Sequence, residues 1–325
     1  MMATRRGPPK PAGQRREESR SRGPKKKSVA MQMGSPPSWT WGDRLVGVHC
    51  STAGGLVTGI ARGAALGCTA IQLFTKNNNR WLAPPLAGEE IRAFLTAWTD
   101  SPIRFIMAHA GYLINLASPD QKITEQSMES MRTEILRAEM LKIPFLVIHP
   151  GSHKGTSEGL GIRYITDRLN ILLDESTFSN TRILFEGTAG QGQCIGHRFE
   201  HLRDLLAGVR DIDRVGICLD TAHLFAAGYD FRTASTYAAM WEQFEAIVGL
   251  KWLYALHLND TTRELGARVD RHSHIGEGML GARAFGFLMR DERLHHLPMV
   301  CETPKGKTDV EDRTNLEKLY RMTQR

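Results

Sequence analysis

The stretch VGICLDTAHLFAAGYD, residues 215–230, runs from an apolar segment straight into Asp220, with His223 three positions later. An apolar strand has no need of a carboxylate and an imidazole at its end. The pattern recurs: apolar runs also deliver His109, His149, Glu186, His257 and Glu302. The loop RVDRHSHIGEG, residues 268–278, adds Asp270 and His272 two apart, a spacing that turns both to one side of an extended segment. Any one of these has an ordinary explanation: a satisfied core histidine, Asp220 as the cap of a following helix, or a solvated loop at 270–274. Together they point to chemistry. Converging carboxylates repel one another and lose solvation unless positive charge lies between them. Imidazoles mixed with carboxylates are the ligand set of zinc, manganese or iron. Five His, two Asp and two Glu are too many for one ion. They suit three sites of about three or four ligands each, with one ligand shared.

Something must bring these residues to one place. Short apolar runs alternate with helix-patterned segments, the sequence sign of repeated βα units on a parallel sheet. Strands are predicted over 45–49, 71–74, 104–108, 145–148, 183–186, 215–219, 252–257 and 299–302, and helices over 89–98, 125–141, 162–173, 199–207, 236–248 and 282–290. Eight such units predict an α/β fold, a closed (β/α)8 TIM barrel in a single domain, which uses roughly 250 residues. In that architecture the site is built at the C-terminal ends of the strands. Strands three to eight end at or next to His109, His149, Glu186, Asp220, His257 and Glu302. Six strands therefore present ligands to a single rim.

Composition narrows the alternatives. The chain has 325 residues, 41% hydrophobic and 24% charged, as in an ordinary globular protein. No apolar run is long enough for a transmembrane helix, so no membrane partner is expected. Five scattered cysteines, never in a Cys-x-x-Cys spacing, argue against a disulfide framework or thiolate metal site and for a reducing, intracellular compartment. Of a net charge of +7, residues 1 to 33 carry +8, with ten Lys or Arg against Glu17 and Glu18, which leaves −1 for the rest. The segment 1 to 40 is rich in Pro, Gly, Ser and Arg and is expected to be a disordered basic tail before a catalytic barrel at 41 to 325. It reads as a solvated linker, a phosphate-attracting arm, or a nuclear address around Lys25-Lys-Lys27 in a eukaryotic cell; a prokaryotic chain would stay in the cytoplasm. Its prolines weaken a mitochondrial transit reading.

From about residue 45 to 319 the chain resembles the endonuclease IV family of metal-dependent abasic-site endonucleases. The resemblance rests on GVHCSTAGG (47–55), FTKNNNRW (74–81), AHAGYLINL (108–116), IHPGSH (148–153), FEGTAGQG (185–192), CLDTAHLFAAGYD (218–230), LHLNDT (256–261), RVDRHSHIGEG (268–278) and CETP (301–304), in that order. It implies that His109 and His149 bind a first metal and that Glu186 bridges it to a second, whose shell Asp220, His257 and Glu302 complete. His223, Asp270 and His272 would hold the third. The implied cofactor is three Zn2+, with Mn2+ an alternative at one site. Glu186 as the bridge and Glu302 as a ligand that also orients water would be the catalytic carboxylates. The implied substrate is duplex DNA containing abasic sites, cut by a monomer 5′ to the lesion to leave a 3′-hydroxyl. The loops after strands two and three would enter the minor groove, with Tyr112 and Leu113 as a wedge and Asn79 and Arg80 at the strand-two loop.

The chain departs from the family pattern at three places. Asn79 stands where arginine is usual, with Arg80 following; Gly187 replaces the common Asn after the bridging glutamate; and His109-Ala-Gly111 replaces His-Asp-Ser. The last two remove hydrogen bonds that could orient ligands. A metal-dependent sugar isomerase or epimerase on a similar barrel is the rival reading, separated by the third ligand cluster, which it does not need. A non-catalytic binder of damaged DNA would have lost ligands. A lyase would need an imine-forming lysine, for which Lys76 is the only candidate in the strand-end motifs.

Overall fold

The structure is a computed structural model that describes residues 1–3, 37, 39–174, 180–306 and 308–324. Residues 35–325 form one compact unit. The expectation of a disordered tail over 1 to 40 falls mostly outside the described residues.

Eight parallel strands close into a barrel: β1 (Leu45–His49), β2 (Ala70–Leu73), β3 (Phe105–His109), β4 (Phe145–Ile148), β5 (Arg182–Gly187), β6 (Val215–Asp220), β7 (Leu253–His257) and β10 (Pro298–Cys301). β1 closes the ring by pairing with both β2 and β10. Gly47 permits that closure, since a Cβ there would lie 1.7 Å from the carbonyl oxygen of Ala70. A two-stranded hairpin, β8 (Asp260–Thr261) with β9 (His272–Ser273), stands outside the barrel.

The helices are α1 (Leu56–Ala65), α2 (Gly88–Thr99), α3 (Gln121–Met140), α4 (Glu158–Leu173), α5 (Phe199–Gly208), α6 (Thr221–Ala227), α7 (Ala234–Ile247), α8 (Gly281–Arg290) and α9 (Val310–Thr323). Asp120 and Ser157 cap α3 and α4 by accepting from the N–H groups of Ile123 and Leu160. The wide cluster of buried side chains between strands and helices is one contiguous core. Trp39 and Trp41 join it against Tyr320 of α9, with ring centroids 6.4 and 5.7 Å away.

A second, smaller cluster fills the inside of the barrel: Met107, Val147, Leu184, Cys218, Ala255 and Val300, with Phe105, Phe145 and Tyr254 packed against it. This layer decides the site. Side chains along a strand alternate between faces. Two residues beyond each member of the layer stand His109, His149, Glu186, Asp220, His257 and Glu302 in turn. The plug that stops the barrel from being a pore therefore also fixes the height and inward aim of all six.

Candidate metal centre

Glu186 is fully buried at the centre of the rim. Its Oε2 lies 3.1 Å from His109 Nε2 and 3.2 Å from His149 Nε2, while Oε1 lies 3.1 Å from His223 Nδ1 and 3.3 Å from His257 Nδ1. His257 Nδ1 is also 3.1 Å from Glu302 Oε2 and 3.9 Å from Asp220 Oδ2. On the outer side, Asp270 places Oδ2 3.3 Å from His223 Nε2 and Oδ1 3.3 Å from His272 Nε2. Asp220 Oδ2 sits 3.6 Å from His272 Nε2, between the two groups. The structure thus brings all nine ligand candidates together. Their donor atoms fall into the sets His109/His149/Glu186, Glu186/Asp220/His257/Glu302 and Asp220/His223/His272, each within 4.8 Å, with Asp270 against the third.

The hydrogen bonds settle which ring nitrogens face inward. Nδ1 of His109 and Nδ1 of His272 donate to the carbonyl oxygens of Ala110 and Glu302 at 2.7 and 3.0 Å, and Nδ1 of His223 to that of Gly187 at 2.9 Å. A carbonyl accepts only, so in the neutral ring, the form that binds a metal, each Nε2 is left with a lone pair. Nε2 of His223 and of His272 are buried without any hydrogen bond, each facing an Asp270 oxygen. Lone pair against carboxylate at that range repels unless a cation lies between, so the donor set fits divalent metal ions. Asp220 serves twice: Oδ1 accepts from the N–H of His223 and caps α6, and Oδ2 accepts from Asn259.

Charge balance repeats the point. Burial works against ionisation of Glu186, but His149 and His257 outweigh it and hold the carboxyl well below the usual range. Burial likewise disfavours the imidazolium of His223, yet Asp220, Asp270 and Glu186 raise its pKa well above the ordinary value. Asp270 falls to about 2, because the imidazoles of His223, His272 and His149 overcome its burial. Protons here supply positive charge that divalent cations would supply better.

Sequence reasoning missed three residues of the site. Gln72 and Asn259 are fully buried neutral amides; Asn259 donates to Asp220 Oδ2 at 2.6 Å and accepts the backbone N–H of Glu302 at 2.7 Å. His49 places Nδ1 3.1 Å from Glu302 Oε1. An amide carries no spacing signature, and His49 ends the predicted strand one like the others. A further His/Glu group, Glu158 with His197 and His201, shares no member with the groups at the rim. The guanidinium of Arg198 already sits on both Glu158 and His201 there, so its charge is met.

A cavity of about 1150 Å³ opens over the rim, lined by Trp81, Tyr112, Leu113, Asn115, Lys154 and Arg271 besides the ligand candidates. Tyr112 and Leu113 are 58% and 37% exposed, large side chains left at the mouth of the site. From the strand-two loop Trp81 lines this cavity, whereas Asn79 and Arg80 are exposed and lie outside its wall. Lys76 is buried, pairs with Glu134 Oε1 at 3.1 Å and donates to the carbonyl of Arg80 at 2.8 Å. A cation so engaged is no free amine for an imine.

Known proteins resemble this chain to different degrees. The family described as Xylose isomerase-like TIM barrel matches residues 60–324. A protein of Chloroflexus aggregans named probable endonuclease 4 is 45% identical over 83% of this chain and 94% of its own length. Its namesake in Geotalea daltonii is 42% identical over 85% and 97%. Among solved structures, endonuclease IV of Thermus thermophilus superposes with a TM-score of 0.75 at 30% identity, over 86% of this chain and 99% of that one. A D-tagatose 3-epimerase-like protein superposes at 0.65 with 18% identity, a likeness of fold alone. With relatives this similar along nearly their whole length, the chain belongs to the endonuclease IV family.

Proposed function

We propose that this protein is a DNA repair hydrolase that cuts the phosphodiester 5′ to abasic sites in duplex DNA and leaves a 3′-hydroxyl. The observation that carries the reading is the convergence of five imidazoles and four carboxylates on one rim, in three groups that meet at Glu186 and Asp220. Three zinc ions suit this donor set, with manganese an alternative at one of them. His109, His149 and Glu186 would hold the first, Glu186, Asp220, His257 and Glu302 the second, and His223, Asp270 and His272 the third. When bound, such ions lower the pKa of water and neutralise charge on a phosphate and on a departing oxygen.

The chain's own groups do the rest. Glu302 uses Oε1 to accept from His49 and Gln72 and turns Oε2 to the centre, where it can orient an attacking water and take its proton. An abasic nucleotide has no base to unstack, so turning it into the cavity costs less than extruding an intact one. Tyr112 and Leu113, exposed at the cavity mouth, would fill the gap left in the helix, and Trp81 lines the same cavity. Asn79 and Arg80, exposed on the strand-two loop, would enter the minor groove beside it. A barrel with net charge near zero must hold phosphates by local charge, which the metal groups provide. The enzyme works as a monomer inside the cell, where DNA is: the cytoplasm in a bacterium, the nucleus should the basic tail act as an address.

A labelled duplex with one tetrahydrofuran abasic analogue tests this. That analogue cannot undergo β-elimination, so incision to a 3′-hydroxyl that stops on chelation and returns with zinc or manganese is the expected result. A folded, fully metallated protein that leaves the duplex intact would overturn it and favour sugar isomerase chemistry.

A further inference from the structure

Gln72 lies on β2, fully buried, on the floor of the site and between two ligand candidates, His257 at the end of β7 and Glu302 directly after β10. Its Oε1 is 2.9 Å from His257 Nε2, and its Nε2 is 2.5 Å from Glu302 Oε1. His49 Nδ1 lies 3.1 Å from that same carboxylate oxygen and 2.9 Å from the amide nitrogen.

With neutral imidazoles one proton arrangement satisfies the contacts to the two ligand candidates, and the 2.9 Å approach of His49 Nδ1 to the amide nitrogen is then a contact between two donors. A carboxylate only accepts, so the amide NH2 and the Nδ1–H of His49 both donate to Glu302 Oε1. The amide oxygen then faces His257, which must carry its proton on Nε2 to donate to it. Two consequences follow at the other ends of the two ligands. His257 Nδ1 is left as a lone pair, and Glu302 Oε2 is left as the oxygen without a donor from this network; they face each other at 3.1 Å. One amide therefore sets both the tautomer of the imidazole and the rotation of the carboxylate.

We propose that Gln72 is a positioning residue for the central cation: through opposite ends of one amide it holds His257 with Nδ1 unprotonated and Glu302 with Oε2 turned inward. This inference rests on the metal-dependent reading of the site. It assigns to a neutral strand residue the orienting work that groups hydrogen-bonded to ligands do, an effect on metal affinity of about 10–100-fold. Gln72 touches neither the substrate cavity nor the other two groups, so its effect is confined to one ion.

The test is a zinc titration of the chelated full-length protein against a chromophoric chelator, with bound metal counted by mass spectrometry, for the wild type, Gln72→Met and Gln72→Asn. Methionine keeps the volume without the hydrogen bonds; asparagine keeps buried polarity but is too short to reach, and serves should the methionine variant not fold. In both variants one binding step is expected to weaken by about 10–100-fold while the other steps and the melting temperature of the chelated protein hold. Unchanged affinity at every step would overturn the proposal, as would an equal loss at all steps, the mark of a merely structural role. A wild type that binds fewer than three ions would count against the three-metal reading instead, and the comparison at the ions that do bind still decides the role of Gln72.

Discussion

Lys76 and Glu134 meet 3.1 Å apart with side chains that are each only 1% exposed, an ion pair sealed beneath the rim of the barrel. Glu134 on α3 also accepts from the backbone N–H of Gly111 at 2.9 Å and from Thr75 at 2.8 Å. Lys76 reaches on to the carbonyl of Arg80. One carboxylate thereby ties together the two loops that carry Trp81, Tyr112 and Leu113. The approach is close enough that a Cβ on Gly111 would lie 3.1 Å from the carbonyl oxygen of Asn78. Breaking this pair is a test of what holds the loops.

Glu134→Ala leaves the Lys76 ammonium buried without a counter-charge, and breaking a buried pair from one side costs about 3–5 kcal/mol. Denaturant unfolding of chelated protein measures it directly. Replacing both residues, as Lys76→Met with Glu134→Leu, should recover most of that loss because no charge remains stranded. A double variant as unstable as Glu134→Ala would show that the hydrogen bonds to Gly111 and Thr75, not the charges, dominate.

His272→Ala tests the third group. Its Nε2 is buried without a hydrogen bond, so truncation removes a ligand candidate while breaking one hydrogen bond, that of Nδ1 to the Glu302 carbonyl. Incision of the abasic duplex should fall by at least about a hundredfold, the scale on which loss of one preorganised electrostatic element is felt. The melting temperature without metal should change by only a few degrees. A large drop in that temperature would instead make His272 a folding residue.

Much of this site can be read from the chain because the barrel enforces period two. Met107 before His109 and Leu184 before Glu186 are apolar residues aimed inward one step lower, and alternation aims the functional residue the same way. What escapes the sequence lacks such a signal. Helix α6 has seven residues and begins directly after β6, so no loop marks its start, although Asp220 is legible as its cap. Helix α1 carries Gly59 and Gly63 in its buried face, because a Cβ at 63 would meet the Ile71 side chain at 2.4 Å, and these glycines blur the helical pattern. Strands β8 and β9 have two residues each, too few for any period. Gln72 and Asn259 act through where they point, which no residue type announces.

The pH response of stability should reverse with metal content. In the metal-free protein burial lowers the pKa of His223 and His257, but Asp220 and Asp270 around the first, and Cys218, Glu302 and Glu186 around the second, raise both well above the ordinary imidazole value. A pKa raised by folding stabilises fully below the unfolded value of about 6.5 and progressively less as pH climbs through the folded value. The chelated protein should therefore lose melting temperature from about pH 6 upward. Metal binding requires neutral imidazoles, so protons oppose it and the stabilisation by zinc should widen over the same range. Melting curves with and without chelator across these pH values check both; a zinc-dependent gain that is flat with pH would contradict the prediction.

Tyr112 and Leu113 are exposed at the cavity mouth, so removing them should leave the fold alone and weaken DNA binding. Loss of an aromatic contact to a nucleic acid base costs about 1–3 kcal/mol, or roughly 5- to 150-fold in affinity. Tyr112→Ala should raise the Kd for an abasic duplex by that factor with little change in Kd for intact DNA, which a fluorescence titration of both duplexes resolves. Equal weakening for the two duplexes would mean that Tyr112 grips the backbone and does not fill the gap.

The basic segment can be separated from the chemistry by salt. Residues 1 to 33 carry a net +8 while the remainder carries −1, so nearly all long-range attraction to phosphate resides in the segment that precedes the barrel. Each phosphate neutralised adds about 0.9 to the slope of log affinity against log salt. A chain starting at residue 34 should bind duplex DNA more weakly at low salt and with a shallower slope, and the two forms should converge as salt rises and screening removes what the segment contributes. The rate of incision in a single turnover at saturating enzyme should be unchanged, because among the described residues no ligand candidate lies before His109. A truncated protein with the full salt slope but slow single-turnover incision would place the attraction in the barrel and give the segment a part in catalysis.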